Sequence, residues 1–218
     1  MPTTASFLPL LSENLKALGL TTDTIAFGLN YEFTKTEPKG MMKRFKKNQS
    51  AIDIDIACIL YDDNCTINDM VWFKQLRDKT ESIRHQGDSL NGKDRGEQAL
   101  YDGPLDQEQI RLYLHKIPAH INKIGLLASS YYGQPLGKVK AGEVHLSDDE
   151  GNRAFTVNLK QLPRDCHSAW IASLQRGVDD WHLTLQNLPL STNDLQGAAQ
   201  EVAHELARAI PVPQAVRT

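Results

Sequence analysis

The sequence predicts an all-β fold, a sandwich of two mostly antiparallel sheets followed by a C-terminal amphipathic helix. Three observations lead to this prediction. Apolar and polar residues alternate in short segments, turn-forming residues separate those segments, and the helical crossovers of a βαβ fold are missing from the pattern. A chain of 218 residues is long enough to bury the core of one large β domain.

Period-two alternation marks the strands, because every second side chain of a strand points to the same side. The alternation is clearest in four segments, residues 25–31, 52–60, 110–114 and 181–185. It is less strict in five further predicted strands, residues 71–76, 121–129, 139–146, 154–159 and 169–174. Turn-forming clusters such as Asp62-Asp63-Asn64 lie between these segments, as expected for connected antiparallel strands.

Two segments break the β pattern. From Asp194 to Ile210, apolar residues recur at steps of three and four, with Asp194 as the N-cap and Pro211 as the stop. A shorter helix is predicted from Ser12 to Leu20. These boundaries divide the chain into an N-terminal segment (1–20), a sandwich domain (21–190) and a C-terminal helix with its tail (191–218).

Composition restricts the compartment and the partners. The net charge of -3 creates no general attraction to nucleic acid, so nucleic acid is not an expected partner. The three cysteines form no CxxC pair and are odd in number, which indicates reduced thiols in a reducing compartment. The sequence contains no apolar run of about 18 residues and no secretory signal pattern. We therefore expect a cytoplasmic protein.

One local basic segment stands out against this balance of charge. It contains five basic residues and no acidic one: Lys39, Lys43, Arg44, Lys46 and Lys47. A solvated loop between two strands is one interpretation. The other is attachment to an anionic membrane surface or an acidic partner, since each basic residue near such a surface contributes about 1 kcal/mol.

Acidic residues form the main candidate site. Asp53 and Asp55 share one face of their predicted strand, about 6.6 Å apart. A loop rich in glycine and oxygen-bearing side chains follows at residues 85–94, and Asp106-Gln107-Glu108 comes before the next strand. Calcium takes six to eight oxygen ligands of these kinds. Two alternatives stay open: rim carboxylates without a metal, and a magnesium site of a phosphoryl-transfer or hydrolytic enzyme. The enzyme is disfavoured because no nucleophile, phosphate cradle or histidine base accompanies the carboxylates.

An ordered series of motifs resembles the TerD family of tellurium-resistance and stress-response proteins, and its TerZ branch in particular. The series consists of SAIDIDIACIL at 50–60, VWFKQL at 71–76, SIRHQGDSLNG at 82–92 and DQEQI at 106–110. The likeness extends over about residues 20–185. The helix from Asp194 lies outside it.

The resemblance implies a β-sandwich that binds Ca²⁺ at one edge. Carried over residue by residue, it implies carboxylate ligands and loop carbonyls at seven positions: Asp53, Asp55, Asp88, Leu90, Gly92, Asp106 and Glu108. It also implies a stress-response role as a binding or scaffold module without catalysis. The expected partners are other Ter-family or stress-response proteins, with possible peripheral association at the inner membrane.

The candidate loop departs from the family pattern. Lys93 and Arg95 place positive charge in it, residues up to Leu105 form an insertion, and Gln107 stands where the family has a carboxylate. These changes lower the negative charge that holds a cation. We expect fewer sites or weaker calcium binding than in the family, with a metal-free interaction protein of the same fold as the alternative.

Overall fold

The computed structural model describes residues 12–32, 34, 52–86, 106–130 and 132–208. These residues form two antiparallel sheets and a C-terminal helix, which confirms the predicted fold class. The elements in chain order are β1 (Ser12–Asn14), β2 (Thr24–Tyr31), β3 (Ile54–Tyr61), β4 (Ile67–Val71), β5 (Ile83–His85), β6 (Glu108–Tyr113), β7 (Lys123–Ser130), β8 (Gly142–Asp148), β9 (Arg153–Asn158), β10 (Ser168–Arg176), β11 (Trp181–Pro189) and α1 (Leu195–Arg208).

The two sheets enclose the main core. One sheet has the strand order β1-β11-β10-β7-β3-β4, and the other has the order β5-β6-β2-β8-β9. Alternate residues of the central strands face the space between the sheets, for example Phe27 and Leu29 on β2 and Ile56 and Cys58 on β3. This is the burial that the period-two pattern predicts.

A second apolar layer lies on the outer face of the six-stranded sheet. There α1 packs Ala199, Val202 and Leu206 against side chains that include Ile59 and Tyr61. All eight residues of β3 are buried, although alternation alone predicted one solvent-exposed face. The predicted cap is confirmed, because the Asp194 carboxylate accepts a hydrogen bond from the Gly197 amide at 2.9 Å.

Two local predictions are wrong, and one strand was not predicted. Residues 12–20 form β1 and a turn in place of a helix, because the Asn14 side chain accepts hydrogen bonds from the Lys16 and Ala17 amides and competes with helix formation. The strand expected at 71–76 ends at Val71, where Trp72 and Gln75 close a tight reversal through two backbone hydrogen bonds of 3.0 Å. Strand β5, at three residues, is too short to show alternation and was not predicted.

No helix among the described residues is long and apolar enough to cross a bilayer.

Candidate functional site

Four of the predicted calcium ligands lie in the described part of the chain. They are Asp53, Asp55, Asp106 and Glu108. Asp88, Leu90 and Gly92 lie outside the described residues. The five basic residues Lys39, Lys43, Arg44, Lys46 and Lys47 lie outside them too, so their role stays a prediction.

Glu108 links the two sheets at one end of the sandwich. Strand β4 pairs with β3 only from Cys58 onward. The residues of β3 that come before Cys58 therefore do not pair with β4. There the Glu108 carboxylate, from the opposite sheet, accepts a hydrogen bond from the Ile56 amide at 3.0 Å. Glu108 has no exposed surface. Its carboxylate therefore projects inward, toward the beginning of β3.

Asp53 and Asp55 lie at that same beginning of β3, and both are buried, at 4% and 7% exposure. The phenol of Tyr31, at the end of β2, is affected by the charge of all three carboxylates. Burial raises the pKa of Tyr31, and the negative charges of Asp53, Glu108 and Asp55 raise it further, while the Ile54 backbone amide opposes the shift. Charges act on a titratable group through space, so these three carboxylates belong to the same region of the molecule. We call Asp53, Asp55 and Glu108 the rim carboxylates.

His85, the first residue of the predicted loop at 85–94, also belongs to this region, although it was not among the predicted ligands. Its ring Nε2 lies 3.4 Å from Glu108 Oε2, and both side chains are fully buried. Strand β5 places it there by pairing His85 with Ile110, two residues after Glu108. The available signal was its period-two relation to the buried Ile83, which indicates an inward side chain but not its partner.

Asp106 lies on the other face of the five-stranded sheet. Phe27 and Leu29 point into the core, so a side chain at Gly28 would point outward, and it would meet Asp106 and His145. The Asp106 carboxylate contacts His145 Nε2 at 2.9 Å. The structure thus places Asp53, Asp55 and Glu108 at the same end of the sandwich, and Asp106 on the outer face of the five-stranded sheet.

The rim carboxylates offer oxygen donors of the kind that hard divalent cations prefer. By themselves they do not complete a metal centre, since the described residues include no group of three or more His, Cys, Asp or Glu side chains arranged to hold a metal ion. The donor chemistry fits calcium, and further ligands would have to come from the predicted loop positions. The assignment of metal ligands stays a prediction.

Comparison with known proteins gives a family match that covers most of the chain and includes the rim carboxylates. The family model of the TerD domain matches residues 14–199. The chain belongs to the TerD-domain family. The match also includes the first residues of α1, beyond the 21–190 range drawn from the sequence.

Among relatives of this TerD-domain protein, the tellurium resistance protein TerZ of Serratia marcescens is 26% identical over 159 residues, 72% of this chain and 76% of the relative. The stress response protein SCP2 of Bacillus subtilis is 25% identical, covering 60% of this chain and 64% of its own length. General stress protein 16U of Bacillus subtilis is 27% identical, covering 60% and 71%.

The fold of this TerD-domain protein is similar to that of a solved structure. This is a telluride resistance protein (TerD) homologue from Streptomyces coelicolor A3(2), matched with a TM-score of 0.63 and 12% identity over 80% of this chain and 94% of that one.

Proposed function

We propose that this TerD-domain protein is a calcium-binding stress-response module that acts by binding or scaffolding and not by catalysis. The observation that carries the proposal is that Asp53, Asp55 and Glu108 are all buried at one end of the sandwich, where their charges act on the Tyr31 phenol. Grouped buried carboxylates repel one another, and the repulsion is stronger in a low-dielectric setting than in water. A divalent cation between them relieves this repulsion.

The three rim carboxylates would hold the cation together with the predicted loop ligands, Asp88 and the carbonyls near Leu90 and Gly92. The ion would neutralise the acidic rim and join the edges of the two sheets there. Asp106 is left out of the proposed ligand set, because it contacts His145 on the outer face.

The stress-response role rests on the relatives. Matched relatives include a tellurium resistance protein and two stress proteins, so tellurite or a more general chemical stress is the proposed setting. Assembly with other Ter-family or stress-response proteins, in the cytoplasm or at the inner membrane surface, belongs to the same proposal.

A metal-free interaction protein of the same fold is the second candidate. It is favoured by the bonds that Glu108 already makes, since one of its oxygens accepts from the Ile56 amide and lies 3.4 Å from His85. A carboxylate that links two sheets can be structural, with no cation at all.

Calcium titration separates the two candidates. We expect heat of binding in the wild-type chain and none in the variant Asp53→Asn/Asp55→Asn, because both carboxylates are removed without a change of shape. Calcium at about 100 times its dissociation constant stabilises by about 2.7 kcal/mol, which raises the melting temperature of a chain of this size by roughly 5–11 °C. Magnesium serves as the comparison ion.

The matched control is Asp165→Asn, which removes one charge at an exposed position. It should bind calcium as the wild type does. If calcium produces neither heat nor a change in melting temperature, the metal proposal is wrong and the metal-free interaction protein remains. Equal loss of binding in the control and the rim variant would also refute a specific site.

A further inference from the structure

A buried thiol and a buried amine are in contact at the end of the sandwich opposite to the rim carboxylates. Lys123 Nζ lies 3.1 Å from Cys65 Sγ and donates a second hydrogen bond of 3.1 Å to the Asp63 carbonyl. Cys65 is 7% exposed and Lys123 is 9% exposed. The proposed calcium site uses neither residue, and they are 58 positions apart in the sequence.

A rigid turn holds Cys65 against the lysine. The Asp62 carboxylate accepts hydrogen bonds from the Asn64 amide at 2.9 Å and the Thr66 amide at 2.8 Å. Within this turn Cys65 adopts a φ of 60°, a left-handed conformation that is uncommon for a residue other than glycine. The turn therefore points the thiol inward in place of exposing it at the loop tip.

Cys65 also lies beside the C-terminal helix. It belongs to the apolar layer under α1, together with Tyr61 and Leu206. Burial raises the pKa of the Tyr61 phenol, and negative charge on Cys65 adds to that effect, which places the two groups close together. The Tyr61 hydroxyl donates to the Ala199 carbonyl of α1 at 2.9 Å. A chemical change at the Cys65 sulfur would therefore occur next to the contact between α1 and the six-stranded sheet.

The other two cysteines have different surroundings. Cys58 is fully buried in the core between the sheets, and burial raises the pKa of its thiol. Burial also raises the pKa of Cys166, which is 2% exposed and donates to the Ser168 carbonyl. Among the residues that the structure describes, no ammonium group contacts either of these sulfurs. A neighbouring ammonium group favours the thiolate, which is the nucleophilic form of cysteine.

We propose that Cys65 is the oxidant-reactive thiol of this protein and that Lys123 both activates it and captures its oxidised form. The oxidant class is a small hydroperoxide. The Cys65 thiol first releases its proton to solvent. The thiolate attacks the distal peroxide oxygen and the O–O bond breaks. The alkoxide or hydroxide that leaves takes a proton back from solvent. Sulfur loses two electrons to the peroxide and becomes a sulfenic acid.

The second step joins the two side chains. The ammonium group of Lys123 first releases one proton to solvent. The resulting amine nitrogen then attacks the Cys65 sulfur. The S–OH bond breaks and a sulfenamide S–N bond forms. The departing hydroxide takes the second proton of the nitrogen and leaves as water. Lys123 is the partner because its nitrogen is already in contact with the sulfur.

The test treats the full folded chain with hydrogen peroxide, then alkylates the remaining thiols, digests the protein and maps its peptides by mass. We expect the fraction of Cys65 that can still be alkylated to fall at least about tenfold faster than the corresponding fractions of Cys58 and Cys166. We also expect a cross-link between the peptides that carry Cys65 and Lys123, reversed by a thiol reductant. Equal rates at the three cysteines, or oxidation only in denaturant, would refute the proposal.

Two variants separate the two roles of Lys123. Lys123→Arg keeps the positive charge but offers a much weaker nucleophile, so a sulfenic acid should form, trapped by dimedone, with no cross-link. Lys123→Met removes the charge and should slow oxidation of Cys65 about tenfold. An unchanged rate in Lys123→Met overturns the activating role. If that variant does not fold, the wild-type comparison with Cys58 and Cys166 still decides the proposal.

Discussion

Gly28 provides a sharp test of the packing on the outer face of the five-stranded sheet. It lies in the middle of β2, and a Cβ built there would be 2.5 Å from His145 Nε2 and still nearer to Asp106 Oδ2. Real Cβ atoms do not approach other atoms this closely, so one or both side chains must move in Gly28→Ala. The buried contact of 2.9 Å between His145 and Asp106 is then lost or distorted.

The expected cost follows from three effects. Overpacking costs about 1–3 kcal/mol. Loss of a buried hydrogen bond to a charged group costs about 1.5–3 kcal/mol. Replacement of glycine by alanine restricts the unfolded chain and returns about 0.4–1 kcal/mol. The first two effects overlap, since movement that relieves the clash also breaks the bond. We therefore expect Gly28→Ala to lower the free energy of unfolding by about 2–4 kcal/mol.

Urea unfolding followed by tryptophan fluorescence measures this change. The matched control is Gly125→Ala on β7, where the new Cβ would meet Val202 Cγ1 at 3.2 Å and Leu127 Cδ1 at 3.4 Å. That control should stay within about 1 kcal/mol of the wild type. In an Asp106→Ala background, Gly28→Ala should cost less, because its nearest neighbour is gone. Equal costs for Gly28→Ala and Gly125→Ala would show that the close approach is not what requires glycine.

Two further predictions concern hydrogen-bonded carboxylates. Asp194→Ala should destabilise by about 1 kcal/mol and speed amide exchange in the first turn of α1, whereas Asp194→Asn should do neither, because it keeps the cap. Burial alone would raise the pKa of Asp148, but hydrogen bonds from Thr21 and Asn152 lower it to about 2. The stability it contributes is complete above its ordinary pKa of 3.8 and is lost as the pH falls toward 2. Acid unfolding of Asp148→Asn should depend less steeply on pH in that range.

Both predictions have clear contrary outcomes. Unchanged amide exchange in Asp194→Ala would mean that packing alone fixes the start of α1. An acid-unfolding curve of Asp148→Asn parallel to that of the wild type would mean that these hydrogen bonds are equally present in the unfolded chain.

Most strands could be predicted from the sequence, because every second residue of a strand faces the same side and the sequence therefore alternates between apolar and polar residues. The pattern at residues 25–31 matches β2, and the pattern at 52–60 matches β3 within two residues at either end. The prediction failed at Asn14, where hydrogen bonds from the backbone to the side chain compete with helix formation. It also failed in β5, which has too few residues to show alternation.

The site was predictable only in part. Alternation places Asp53 and Asp55 on one side of β3, but it does not show that Glu108 reaches the beginning of β3 from the other sheet. Alternation also does not distinguish Asp106 from Glu108 as a ligand, since the two are separated by only two positions. In the folded chain one carboxylate turns outward to His145 and the other inward to Ile56.

The sequence by itself therefore determined most of the strands, the capped helix and the family, because all of these depend on patterns within short segments or on their order. Only the tertiary structure decided which groups meet: Glu108 with the beginning of β3, and Cys65 with Lys123. The physical reason is that such contacts depend on the pairing register of strands and on how two sheets stack. Residues distant in sequence specify these features jointly, and no single segment carries them.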